Sequence, residues 1–231
     1  MGNYIKAVFF DLDGVLVNSE VMHQRLFREY VEQSRSPVPP ERFYLLIGSH
    51  KSLDPWPDIV RGIDLGMPLE EFKKHVRDYR QKQLEQICYK DWIFPETRES
   101  LEALKSMGIR TACASSSNLA YIYKVLGSQN LTGYFDLITT CDNFERSKPA
   151  PDIYLYCMKH LGLKPEECLV TEDSFFGIRA AKSAGIRVAA RIDHNFGINQ
   201  QEADYFVEDL TELVELVGRL QLPSCCLSKT V

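Results

Sequence analysis

The sequence predicts an α/β fold, an open and doubly wound parallel sheet with helices on both faces, interrupted early by a small helical insert. Three observations carry this. A continuous apolar run, Ala7-Val8-Phe9-Phe10, ends abruptly in acids. From residue 109 onward short strand-like runs alternate with helix-like ones, the pattern of βαβ units. Between these regions, residues 17–92 show helix-like patterns and no convincing strand.

The elements follow in order. Ala7–Phe10 reads as a buried parallel strand, because a strand covered on both faces is apolar throughout rather than alternating. Its carboxyl end opens into Asp11-Leu12-Asp13-Gly14. In the insert, residues 20–33 and 70–87 are helix-like, and both tryptophans, Trp56 and Trp92, lie in it or at its edge. Residues 109–114 form the next strand, residues 118–127 a helix, and Leu137–Thr140 another strand. Pro151-Asp152 opens a helix that stops near Gly162, proline being suited to a first turn. A strand at 169–171, a helix at 176–184, a strand at 187–190 and a closing helix at 212–220 complete the chain. The expected organisation is a core of residues 1–16 and 93–231 and a helical cap domain of residues 17–92, placed as a lid. In such sheets ligands bind beyond the carboxyl ends of the strands.

Composition narrows the function. The 231 residues suit a core with a smaller insert. With 45% hydrophobic and 26% charged residues, the chain is ordinary for a globular protein. A net charge of −5 argues against a nucleic-acid partner, since phosphate backbones demand basic patches. A small phosphorylated molecule needs only a few local cations. No apolar run approaches the roughly 18 residues that span a bilayer, and the first residues lack a secretory pattern. A cytoplasmic protein without a membrane partner, monomeric or weakly dimeric, is expected. The seven cysteines are scattered and include no Cys-x-x-Cys pair, which suggests neither a zinc site nor a disulfide framework. Cys113 sits in an apolar run, while Cys225 and Cys226 read as inert reduced thiols in a tail.

Asp11 and Asp13 follow a fully apolar strand at i, i+2, a spacing that directs both side chains the same way along extended chain. Gly14 then permits a sharp turn. Glu172 and Asp173 form a second acidic pair after the strand at 169–171. If the two strands are neighbours, four carboxylates meet in one crevice, at a cost of several kcal/mol or more unless a cation joins them. All-oxygen ligation suits Mg²⁺, which also binds phosphate oxygens. Helix capping by Asp173-Ser174 explains one acid at most. Ser115 offers a hydroxyl and an N–H to a phosphate oxygen. Ser116, Ser117 and Asn118 continue the turn into a helix N-terminus, itself an anion site. Lys148, stiffened by Pro149 and Pro151, supplies positive charge. Asp11 is then the nucleophile toward phosphorus, with Mg²⁺, Lys148 and Ser115 neutralising the transferring group. Asp13 suits the acid that protonates the leaving oxygen and the base that activates water.

These residues resemble the four motifs of the haloacid dehalogenase superfamily. The stretch from Phe9 to Glu20 is similar to the first motif, and Ser115 falls at its phosphate-binding serine or threonine. Ser147-Lys148-Pro149-Ala150-Pro151-Asp152 is similar to its lysine motif, and Glu172-Asp173-Ser174 with Gly177 and Ala180 to its metal-binding motif. The four stand in order over roughly residues 7–190. The resemblance implies a Rossmann-like core and a cap inserted after the first motif. It also implies Mg²⁺ held by Asp11, the main-chain carbonyl of Asp13, Asp173 and Glu172. Asn18 departs from the usual aspartate, beyond the reacting groups.

The subgroup most resembled is that of the β-phosphoglucomutase-like proteins. His23 falls at their cap-side histidine, and Ile47-Gly48-Ser49-His50-Lys51 resembles their specificity loop less well. Ile47 replaces a lysine, and Lys51 replaces an arginine without the bidentate fork that grips a second phosphate. The expected function is therefore a Mg²⁺-dependent phosphatase for a small phosphorylated metabolite. A hexose-phosphate mutase is the alternative, with Lys51, Lys73, Arg77 and Arg80 as candidates for its second phosphate site. A dehalogenase would need no Mg²⁺, and a silent binding protein would be expected to have lost one of Asp11, Asp13, Lys148 or Asp173.

Overall fold

The computed structural model describes residues 4–46 and 54–221. The chain divides into two compact units, residues 1–17 with 93–231, and residues 18–92.

The first unit is built on a six-stranded sheet. Its strands are β1 (Ala7–Phe10), β2 (Arg110–Ser115), β3 (Leu137–Thr140), β4 (Cys168–Glu172), β5 (Arg187–Arg191) and β6 (Tyr205–Val207). All neighbours are parallel, in the order β3-β2-β1-β4-β5-β6. The chain leaves β1 for β2 on one side and later returns to β4 on the other. The order therefore reverses at β1, and a crevice opens there beyond the carboxyl ends. Phe10 is level with Cys113 on β2 and with Thr171 on β4, so the residues that follow these positions are delivered to one place.

The second unit holds α1 (Ser19–Ser34), α2 (Trp56–Ile59) and α3 (Leu69–Gln86), with a 3-10 turn at Pro40–Leu46. Its core is its own. Phe27, Tyr30 and Val31 of α1 pack with Phe72 and Val76 of α3, together with Val38, Phe43 and Ile59. Phe72 meets Tyr30 and Trp56 with ring centroids 5.8 and 5.9 Å apart.

The sheet's helices are α4 (Thr97–Ser106), α5 (Leu119–Gly127), α6 (Asp152–Leu161), α7 (Phe175–Ser183) and α8 (Leu210–Leu220). Ala7, Phe9, Ala112, Val170 and Val188 share one core with Ile153 and Tyr154 of α6 and Ile178 of α7. Val8 and Phe10, of opposite parity, are also fully buried. This two-sided covering is why β1 is apolar at every position; burying each phenylalanine contributes about 1.5–3 kcal/mol.

In the first unit, two elements go beyond the sequence reading. Helix α4 buries Thr97, Ser100, Leu101 and Leu104, a helical spacing in which two of the four positions carry hydroxyls and so weaken the apolar stripe. Strand β6 has three residues, and Phe206 is exposed on it. Among the described residues, no helix is long and apolar enough to cross a membrane.

Candidate active site

The site is assembled at the carboxyl ends of β1, β2 and β4. Asp11 follows β1 directly, and its N–H donates to Thr171 O at 3.0 Å, so the backbone is still held by the sheet. Its carboxylate is buried and lies 2.5 Å from Lys148 Nζ. Lys148, also buried, donates to Asp11 Oδ1, to Ala114 O at 2.9 Å and to Glu172 Oε1 at 2.7 Å. These contacts use all three ammonium donors. Burial opposes the charge on Lys148, but the Asp11 and Glu172 carboxylates outweigh it and hold the amine well above the usual lysine range. For Asp11 the balance is reversed. Burial pushes its carboxyl up to about 7, and Lys148 offsets only part of that.

Glu172 is wholly buried. Its Oε1 accepts from Lys148 and, at 2.9 Å, from the Tyr154 hydroxyl; its Oε2 accepts from the N–H groups of Asp173 and Ser174 and from Ser174 Oγ. Ser174 Oγ also accepts from Gly177 N at 3.0 Å and so caps α7. The cap is the serine, and capping does not account for Asp173.

Asp11, Glu172 and Asp173 can each place an oxygen within 4.8 Å of the others. The sequence reading brings four carboxylates into one crevice; the structure brings together these three. The carboxylate of Asp13 instead accepts from Ser117 Oγ at 2.6 Å and from the Tyr121 hydroxyl at 3.2 Å. β1 ends at Phe10, yet Asp13 stays near enough for its charge to help push the Asp11 carboxyl up. By Asp13 the chain is already turning, with Gly14 at φ +75, and the alternation of extended chain no longer applies.

Ser115 is buried at the end of β2, and its Oγ accepts from Ser117 N at 3.0 Å. Ser116 is exposed, with its Oγ 3.6 Å from Cys141 Sγ. Asn118 caps α5 by accepting from Tyr121 N at 2.9 Å. In the second unit, His23 and Arg77 line one cavity of about 360 Å³ together with Lys73 and Arg80. Lys51 lies outside the described residues.

A family model for haloacid dehalogenase-like hydrolases matches residues 5–185. The chain belongs to this family. Among curated relatives of this hydrolase, a phosphorylated carbohydrates phosphatase of Thermotoga maritima is 31% identical over 191 residues, covering 83% of this chain and 87% of that protein. A phosphoglycolate phosphatase of Aquifex aeolicus is 30% identical over 215 residues, 92% of this chain and 97% of that one. A crystal structure from Thermotoga maritima, provisionally described as a beta-phosphoglucomutase, superposes with a TM-score of 0.73 at 28% identity. It covers 93% of this chain and 99% of that one.

The haloacid dehalogenase-like site passes a test of charge and chemistry for a divalent ion. Three clustered carboxylates against one ammonium leave a formal excess of two negative charges. The donors are all oxygen, as a hard cation prefers. Three residues of this hydrolase's site escape the motif reading. Tyr154, buried on α6, bonds Glu172 and carries Lys148 Nζ 5.1 Å from its ring centroid. Tyr121 bonds Asp13, and Ser117, read from the sequence only as part of a polar turn, does the same. A serine in a serine run and two tyrosines on helices carry no distinguishing signal until the fold aims them.

Proposed function

We propose that this chain is a Mg²⁺-dependent phosphatase that hydrolyses a small phosphorylated metabolite through an aspartyl-phosphate on Asp11. The observation that carries the reading is the buried Asp11 carboxylate, bound to Lys148 and clustered with Glu172 and Asp173, in a chain of this hydrolase family. The activities named for the curated relatives above, on phosphorylated carbohydrates and on phosphoglycolate, support a phosphate monoester as substrate.

Mg²⁺ would be held by Asp11, Asp173 and the main-chain carbonyl of Asp13, with Glu172 completing the acidic cluster, and would supply charge neutralisation to the phosphoryl oxygens. The rest is the work of the chain. Asp11 attacks phosphorus as the bond to the leaving oxygen breaks, and Asp13 gives that oxygen a proton. Water then attacks the acyl phosphate, loses a proton to Asp13, and releases phosphate and free Asp11. Lys148 holds the nucleophile in place and balances charge throughout. Ser115, at the end of β2, and Ser116, in the turn that follows, contribute the phosphate-facing donors. Residues 18–92 act as the cap that selects substrates, with His23, Lys51 and Arg77 as its candidate contacts. The protein works in the cytoplasm on a free metabolite, as a monomer or weak dimer without nucleic acid.

The test is phosphate release from a panel of sugar and other small phosphate esters, with and without Mg²⁺. Mg²⁺-dependent release on one or a few substrates is expected, and its absence across the panel overturns the reading. Conversion of β-glucose 1-phosphate to glucose 6-phosphate with little free phosphate makes the protein a mutase instead.

A further inference from the structure

Gln200 lies 27 residues beyond Asp173 on the segment between β5 and β6, and no motif reading reaches it. It is nearly buried, and each functional atom of its amide has a backbone partner. Nε2 donates to Asp173 O and to Arg191 O, each at 2.7 Å, while Oε1 accepts from Asp193 N at 3.1 Å. Asp193 organises the intervening loop. Its carboxylate accepts from the N–H groups of Asn195, Phe196 and Ile198, turning the chain back so that residue 200 reaches the end of β4.

The peptide unit between Asp173 and Ser174 is consequently pinned at both ends. Its carbonyl takes the Gln200 amide, and its N–H donates to Glu172 Oε2 at 3.2 Å. The N–H of Asp173, on the preceding peptide, donates to Glu172 Oε2 as well, at 3.2 Å, and with the peptide planes on both sides held the Cα–Cβ direction of Asp173 is set. Groups that orient a metal ligand in this way commonly govern metal affinity, their loss costing about 10–100-fold.

We propose that Gln200 is a positioning residue for the metal-binding loop, aiming Asp173 through its main-chain carbonyl; this rests on the reading of Asp173 as a Mg²⁺ ligand. The test is direct titration of the full-length protein with Mn²⁺ alone, followed by its paramagnetic resonance signal, alongside thermal unfolding. Gln200→Met keeps the length and removes the amide. Gln221→Met is the matched control, because Gln221 Nε2 also donates to a backbone carbonyl, that of Ile5, at 2.6 Å. Asp173→Asn reports on the ligand itself.

The expected result is Mn²⁺ binding weakened about tenfold or more by Gln200→Met, unchanged by Gln221→Met, and lost in Asp173→Asn. Wild-type affinity in Gln200→Met with loss in Asp173→Asn overturns the role of Gln200 and leaves the metal reading standing. Wild-type affinity in Asp173→Asn overturns both. A tenfold loss in Gln221→Met as well would show a general stability effect and sink the proposal. Should Gln200→Met not fold, Gln200→Asn, an amide one methylene too short, is titrated in its place with the same expectations.

Discussion

The carboxylate of Asp173 occupies the space that a side chain on Gly14 would need, since a Cβ there would lie 1.9 Å from Asp173 Oδ2. Gly14 also holds φ +75. Gly14→Ala therefore meets two penalties. The left-handed backbone alone costs about 1–2 kcal/mol, and displacement of Asp173 weakens metal binding. Thermal unfolding together with Mn²⁺ titration should show both. Lowered stability with unchanged metal affinity would mean that Asp173 is not a ligand.

Asp11→Asn should abolish turnover while leaving the fold intact. The amide is isosteric, and Lys148 retains Glu172 as a partner at 2.7 Å. Circular dichroism and phosphate release on the same sample decide the matter. Appreciable remaining activity removes Asp11 from the role of nucleophile.

The same pair of proteins yields a pH dependence in the presence of a chelator. The Asp11 carboxyl rises from its ordinary 3.8 to about 7 in the fold, chiefly through burial. The folded state thus keeps a proton that the unfolded state has lost. The contribution of Asp11 to stability is fully present below about 3.8 and is lost as the pH climbs to about 7. Wild type minus Asp11→Asn should therefore decline across that window. A difference that rises with pH contradicts the burial of this carboxyl as an unneutralised acid.

Lys148→Met should destabilise more than a surface substitution. Removing one partner of a buried ion pair leaves uncompensated charge and costs about 3–5 kcal/mol. Here Asp11 and Glu172 both lose their cation. The deficit, measured by denaturant unfolding, should shrink at lower pH, where a proton on Asp11 relieves it. A deficit that is small and independent of pH would show that Lys148 does not carry this charge balance.

Thiol chemistry offers a check on the core. Cys88 is exposed, while Cys113, Cys141, Cys157 and Cys168 are buried. Burial pushes the thiols of Cys157 and Cys168 up to about 12, so their reactive thiolate is scarce at neutral pH. In a protein carrying Cys225→Ser and Cys226→Ser, a maleimide should label Cys88 quickly. It should reach the other four thiols only on unfolding.

The alternation of short apolar runs with helix-like segments determined the parallel sheet, because each strand covered on both faces must be apolar throughout; Ala7–Phe10 shows this most plainly. The sequence also placed Asp11, Lys148, Glu172 and Asp173 at strand ends or in loops, and these four do converge. Strand β6 stayed hidden because three residues at a sheet edge hold too little pattern. What only the tertiary structure decided is the direction of side chains once the chain has left regular structure. Asp13 is held by Ser117 and Tyr121, Tyr154 reaches Glu172 from α6, and Gln200 reaches back to Asp173. Periodicity constrains direction only where dihedrals repeat. Beyond the strand ends, direction depends on loop geometry and on partners far away in the sequence, which only packing brings within reach.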